Sequence, residues 1–157
     1  LFLRTWTLQG MWVFLTSVSG VTAICSRVVL EPGLYFYVGC SLWIFGFLFE
    51  SISDYQKRKF KIKNPKDFIS SGLWSLSRHP NYFGEIVLWI GITIIAFPVL
   101  QGYQLFSLIS PLFVIWLLTK VSGIPLLEKH ADKTWGKKKE YKVYKDSTPV
   151  LFPKFFK

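Results

Sequence analysis

The chain has 157 residues, is 51% hydrophobic and 18% aromatic, and has a mean hydropathy of +0.35, a composition that excludes a disordered chain and points to membrane spans. Its net charge of +10 needs no polyanionic partner, because the lysines and arginines gather between apolar runs as they do at the flanks of membrane helices; nucleic acid is not expected. The two cysteines, Cys25 and Cys40, lie in or beside apolar runs without metal-ligand spacing, so neither a zinc site nor a disulfide framework is expected.

The sequence opens on Leu1 and runs straight into an apolar stretch, so an N-terminal part of a longer protein is expected to precede it. Residues 6–24 carry no charge and are long enough to cross a hydrocarbon core of about 30 Å. Ser26-Arg27 and Glu31-Pro32-Gly33 then break the pattern. A second span is expected over 34–52, with Gly39, Cys40, Ser41 and Gly46 as small residues that let membrane helices approach closely. Glu50, Asp54 and Arg58 follow one another on one helical face. An Asp54–Arg58 ion pair is one reading of that face, and a ligand contact is another.

Residues 54–81 read as a juxtamembrane loop, basic at Lys57, Arg58, Lys59, Lys61, Lys63 and Lys66, with Asn64-Pro65 as a turn signal; phosphate binding by this run is a second reading. The third span is expected over 82–97 and the fourth over 103–120, the latter kinked at Pro111. The tail, 121–157, reads as a short surface helix followed by an extended end with Leu151, Phe152 and Phe155. Within it, His130 and the Lys137-Lys138-Lys139 run read as solvated surface. The seven tryptophans suit membrane interfaces or helix packing.

The fold class predicted is therefore an all-α, polytopic integral membrane protein with about four transmembrane helices, read as a single membrane domain. Ten of the nineteen Lys and Arg residues lie from Lys120 onward and seven between Lys57 and Arg78. Four crossings put both blocks and Arg4 on one side and leave only Arg27 opposite, which orients the loop and the tail to the cytoplasm.

The most informative stretch is Ser77-Arg78-His79-Pro80-Asn81-Tyr82-Phe83-Gly84-Glu85. Pro80 suits a helix start and holds His79 extended. The helix N-terminus it opens, flanked by Arg78 and His79, attracts anions. Asn81 and Glu85 share a face, and a carboxylate one turn inside an apolar helix should meet protein or a cavity. Pairing of Glu85 with Arg78 or His79 is the plainer alternative.

This stretch, together with Lys120-Val-Ser-Gly-Ile-Pro-Leu-Leu-Glu128 and the closing Glu140-Tyr141 and Tyr144, resembles the DUF1295 family. That family is placed with steroid 5-alpha-reductases, sterol C14-reductases and isoprenylcysteine carboxyl methyltransferases. The resemblance implies a membrane-embedded enzyme with a nucleotide-type cofactor on its cytoplasmic side. In the reductases this is NADPH; in the methyltransferases it is S-adenosylmethionine. Under the first reading, an NADPH-dependent reductase of a lipid or steroid-like double bond, the resemblance implies that Arg58, Lys61 and Arg78 meet phosphates. Asp54, Asn81, Tyr82 and Glu85 would then hydrogen-bond ribose, base or carboxamide, with Glu128 and Tyr141 in the same cofactor set. His79 and Tyr144 are the nearest candidates for proton donors, since the family's substrate-side acids lie largely in preceding helices.

Under the second reading, Glu85, Glu128 and Trp89 would contact the sulfonium cofactor of a methyltransferase acting on a membrane-embedded acceptor. A third reading is a non-catalytic membrane scaffold. Glu50 and Lys61 stand where a steroid reductase tends to carry Asn and Arg, and an arginine expected near Thr148 is absent. Both departures bear on how phosphate is held, because lysine offers a point charge and arginine a planar fork.

Overall fold

A computed structural model describes residues 2–155; Leu1, and Phe156 and Lys157 of the expected tail, lie outside it, and the placement expected for the Arg4 charge falls outside the described side chains. The described residues form helices and no strands. Four helical stretches are long and apolar enough to cross a membrane: Trp6–Ile24, Leu34–Lys63, Pro80–Val99 and Gly102–Trp135. The protein is an all-helical, polytopic membrane protein, as its composition predicts.

Among the described residues six α-helices follow in chain order: α1 (Phe2–Ile24), α2 (Leu34–Lys63), α3 (Pro80–Ala96), α4 (Ile109–Trp116), α5 (Ile124–Trp135) and α6 (Lys139–Ser147). Helix α3 begins at Pro80, whose missing N–H costs nothing in a first turn. Three boundaries differ from expectation. Helix α2 continues eleven residues past the expected end at residue 52 (63 − 52), shortening the loop to 64–79. Between Ile52 and Asn64 the chain holds no Gly or Pro and is rich in Lys, Arg and Gln, good helix formers, and only Asn64-Pro65 stops it.

The fourth stretch is not one kinked helix. A 3-10 run over Gly102–Leu108 leads into α4, and Leu117–Val121 forms a π-helical turn. Pro111 thus falls in the first turn of α4, where its absent N–H breaks no ladder bond. The tail forms two helices rather than one, because Gly136 and the like charges of Lys137 and Lys138 interrupt it.

The residues group into two compact units, one of Leu1–Ile44 with Ile86–Trp116 and one of Phe45–Glu85 with Leu117–Lys157. In the first, α1 is tied by polar side chains: Ser19 Oγ meets Thr93 Oγ1 at 3.2 Å, Ser26 Oγ donates to Val99 O at 3.0 Å, and Ser110 Oγ donates to Thr16 O. Gly39 and Gly91 bring α2 and α3 into backbone contact; a Cβ on Gly91 would stand 2.7 Å from Gly39 O. In the second unit Gly84 plays the same part, since a Cβ there would stand 2.6 Å from Glu50 N and 2.7 Å from Gly46 O. Gly39 and Gly46 of the second span therefore serve close helix packing, whereas Cys40 is half-buried and Ser41 exposed.

Candidate cofactor-binding site

The end of α2 forms the first wall of a pocket within the second unit. Lys57 and Lys61 are one turn apart, so both project from one face of the helix. Lys57 Nζ sits 4.8 Å from the Trp74 ring centroid and Lys61 Nζ 4.7 Å from that of Trp135. Both indoles are fixed through their N–H groups, Trp74 donating to Ser53 O at 2.9 Å and Trp135 to Lys66 O at 3.0 Å. Trp74 is presented by a 3-10 turn, Gly72–Ser75, that needs glycine at its start: Gly72 has φ +64°. The turn is held by the Leu73 N–H donating to Gln56 Oε1 at 2.9 Å.

The second wall is the segment before α3 together with α5. Arg78 Nη1 donates to Glu128 Oε2 at 2.6 Å, and His79 Nε2 lies 2.8 Å from Glu128 Oε1. Glu128 thus clamps two neighbouring side chains with its two oxygens. The clamp is well shielded, with side-chain exposures of 11% for Arg78, 6% for His79 and 20% for Glu128. Burial pulls the His79 imidazole below its usual range, overcoming the hydrogen bond and the charge of Glu128, which pull it upward. A neutral ring facing an ionised carboxylate carries its proton on Nε2 and its lone pair on Nδ1. That Nδ1, like Arg78 Nε, is buried and has no partner among the described residues.

The tail holds this segment in place. Arg78 N donates to Pro149 O at 2.9 Å, Lys154 N donates to Leu76 O at 3.0 Å, and Ser77 Oγ donates to Leu151 O at 2.9 Å. Helix α6 and Phe68 complete the pocket. The Phe68 ring lies 5.2 Å from Tyr141 and 5.6 Å from Tyr144. Tyr141 donates its hydroxyl to Asp132 Oδ1 at 3.1 Å and Tyr144 to Trp74 O at 2.7 Å. Burial and the Asp132 charge push the Tyr141 phenol up to about 12, and burial pushes Tyr144 upward as well. Both remain neutral donors at pH 7. Lys145 Nζ, 2.5 Å from Asp132 Oδ1 and 3.8 Å from Glu128 Oε2, joins the two carboxylates.

The cavity so enclosed has a volume of about 250 Å³. Of the residues proposed for the site from the sequence, Lys61, Arg78, His79, Glu128, Tyr141 and Tyr144 line it; His130, read as solvated surface, is exposed but lines it as well. Asp54, Arg58, Asn81, Tyr82 and Glu85 do not. Asp54 and Arg58 are exposed on α2, and no ion pair joins them among the described residues. Tyr82 stacks on His79, with ring centroids 5.7 Å apart and planes at 11°. Asn81 is half-buried, with its Oδ1 unpartnered among the described residues. Glu85 is half-buried beside Gly84, and Arg78 and His79 pair with Glu128 instead.

The chain matches the family described as "Protein of unknown function (DUF1295)" over residues 1–148. It belongs to the DUF1295 family. No curated protein and no solved structure matches it. Every residue lining the pocket lies inside the DUF1295 match, whereas the tail segment bonded to Leu76, Ser77 and Arg78 lies past its end. Sequence reasoning named Lys57 only as one member of a basic run and missed Phe68, Trp74 and Trp135 in this DUF1295 chain. The spacing of Lys57 and Lys61 is a usable signal once α2 is extended to Lys63. Trp135 gives none, because its interaction with Lys61 bridges distant stretches of chain.

The buried imidazole has a pH consequence. A histidine whose folded value lies below its unfolded value of about 6.5 leaves the unfolded chain holding more protons just below that pH. Stability is then greatest above pH 6.5 and is lost as pH falls. Thermal melts in detergent between pH 7.5 and 5 should show a falling Tm, with a flatter profile in His79→Gln. An identical profile in the variant would assign the effect to other groups.

Proposed function

We propose that this chain forms the cofactor-binding part of a membrane-embedded, NADPH-dependent reductase that acts on a double bond of a lipid or steroid-like substrate, with the pocket on the cytoplasmic side. The observation that carries this reading is the pair Lys57 and Lys61, two ammonium groups held on indole faces within one aromatic pocket and in no ion pair among the described residues. Such a lining suits a ligand that brings both anionic oxygens and flat rings. Each charge-assisted contact is worth about 1.5–3 kcal/mol, and indole faces supply stacking area.

The cavity is smaller than the ~300–1,000 Å³ of sites that enclose a drug-sized molecule. One ring system and its sugar would fill it, and the rest of a dinucleotide would lie outside. When bound, NADPH supplies the hydride; Lys57 and Lys61 neutralise phosphate, Glu128 holds Arg78 and His79 in position, and the aromatic walls exclude water. S-adenosylmethionine fits less well. Its sulfonium is a cation, and the indole faces that would favour a cation already carry lysine ammonium groups.

The test is turnover by the full-length protein in lipid membranes, supplied with a panel of sterol and polyprenyl substrates. The expected result is consumption of NADPH matched mole for mole by loss of a carbon–carbon double bond. Transfer of a labelled methyl group from S-adenosylmethionine to a lipid, without NADPH consumption, would overturn the reading.

A further inference from the structure

The last described residues, 149–155, form no helix, yet their backbone is fixed. Hydrogen bonds from Arg78 N to Pro149 O, from Lys154 N to Leu76 O and from Ser77 Oγ to Leu151 O pin the segment beside the residues that lead into α3. The Phe152 ring meets Phe83, in the first turn of α3, with centroids 6.2 Å apart. Held in this way, Phe152 remains 73% exposed and Phe155 58% exposed, with Lys154 between them. The span that starts at Pro80 has 20 residues, about 30 Å at 1.5 Å per residue, which matches the hydrocarbon core. Pro80 and the segment pinned beside it therefore lie at the level where that core ends.

We propose that residues 149–155 are an interfacial anchor: Phe152 and Phe155 seat between the headgroups and the acyl chains of the bilayer that α3 crosses, and Lys154 reaches lipid phosphate. Exposed phenylalanine rings beside a lysine at this depth suit the membrane–water boundary, where apolar rings bury below the headgroups and a lysine reaches up to them. The packing of Phe152 on Phe83 makes the exposed rings continuous with the lipid-crossing helix itself, which favours the bilayer over a protein partner. The anchor shares its backbone bonds with Leu76, Ser77 and Arg78. Seating it thus fixes the height of Arg78 and His79 relative to the membrane, a role independent of which cofactor the pocket takes.

The experiment labels the full-length protein, in a Cys25→Ser, Cys40→Ala background, at Phe152→Cys, Phe155→Cys or Lys139→Cys with an environment-sensitive fluorophore. Each is reconstituted in nanodiscs of phosphatidylcholine and phosphatidylglycerol, with and without lipids brominated near the headgroup end of the acyl chain. The expected result is a blue-shifted emission at 152 and 155, quenched at least twofold more by brominated lipid than at 139. Equal quenching at all three positions, or no quenching at 152 and 155, would overturn the anchor. A blue shift without quenching would also overturn it, by showing that protein covers the rings. Unchanged circular dichroism of each labelled protein checks that the fold is retained.

Discussion

Glu128→Leu should destabilise the protein by about 3–5 kcal/mol, because removing one member of a buried ion pair leaves the other charge without compensation. Glu128 serves Arg78 and His79 at once, at 2.6 and 2.8 Å, and both side chains are nearly excluded from water. Arg78 cannot shed its charge, so its guanidinium must either be buried alone or tear the segment away from the pocket. At ~2–4 °C per kcal/mol for a chain of this size, Tm in detergent should fall by roughly 6–20 °C. Pairing the change with Arg78→Met should recover part of the loss, since two apolar groups in contact leave no buried charge. A fall below 2 °C in the single variant, or no recovery in the double, would show that the clamp contributes little.

Lys57→Met with Lys61→Met should weaken NADPH binding by about 10²–10⁴-fold while leaving the fold in place. Methionine keeps the helix propensity of lysine; the change removes two cation–π interactions worth only ~0.5–2 kcal/mol each and the hydrogen bond that Lys61 Nζ donates to Asp67 O at 2.6 Å, worth about 1 kcal/mol more. Two phosphate contacts at ~1.5–3 kcal/mol each give the stated range. Wild-type binding should also weaken as salt is raised, and the double variant should lose most of that dependence. Equal affinities in the two proteins, measured by equilibrium dialysis, would remove both lysines from the site.

The membrane helices can be read from apolar run length, and the start of α3 from Pro80, because both are local properties of the chain. The end of α2 is harder to place, because the basic run after Ile52 resembles a solvated loop, and charge alone does not end a helix where the following residues hold no Gly or Pro. Half of the pocket is visible as motif residues: Arg78 and His79 stand next to Pro80, and Glu128 follows a Gly-x-Pro turn. Their union at one carboxylate is not visible, since Glu85 stands nearer in sequence and is the partner that the plainer reading offers. The packing of Phe68 against Tyr141 and Tyr144 and the bonds from Leu76, Ser77 and Arg78 to the tail join stretches far apart in the chain, and no periodicity in one sequence encodes such pairings.

Isothermal titration of the purified full-length protein with NADPH, and separately with S-adenosylmethionine, tests the pocket most directly. Saturable NADPH binding that weakens with salt, with no S-adenosylmethionine binding over the same range, is the expected result. Saturable S-adenosylmethionine binding in the absence of any NADPH binding would contradict the assignment.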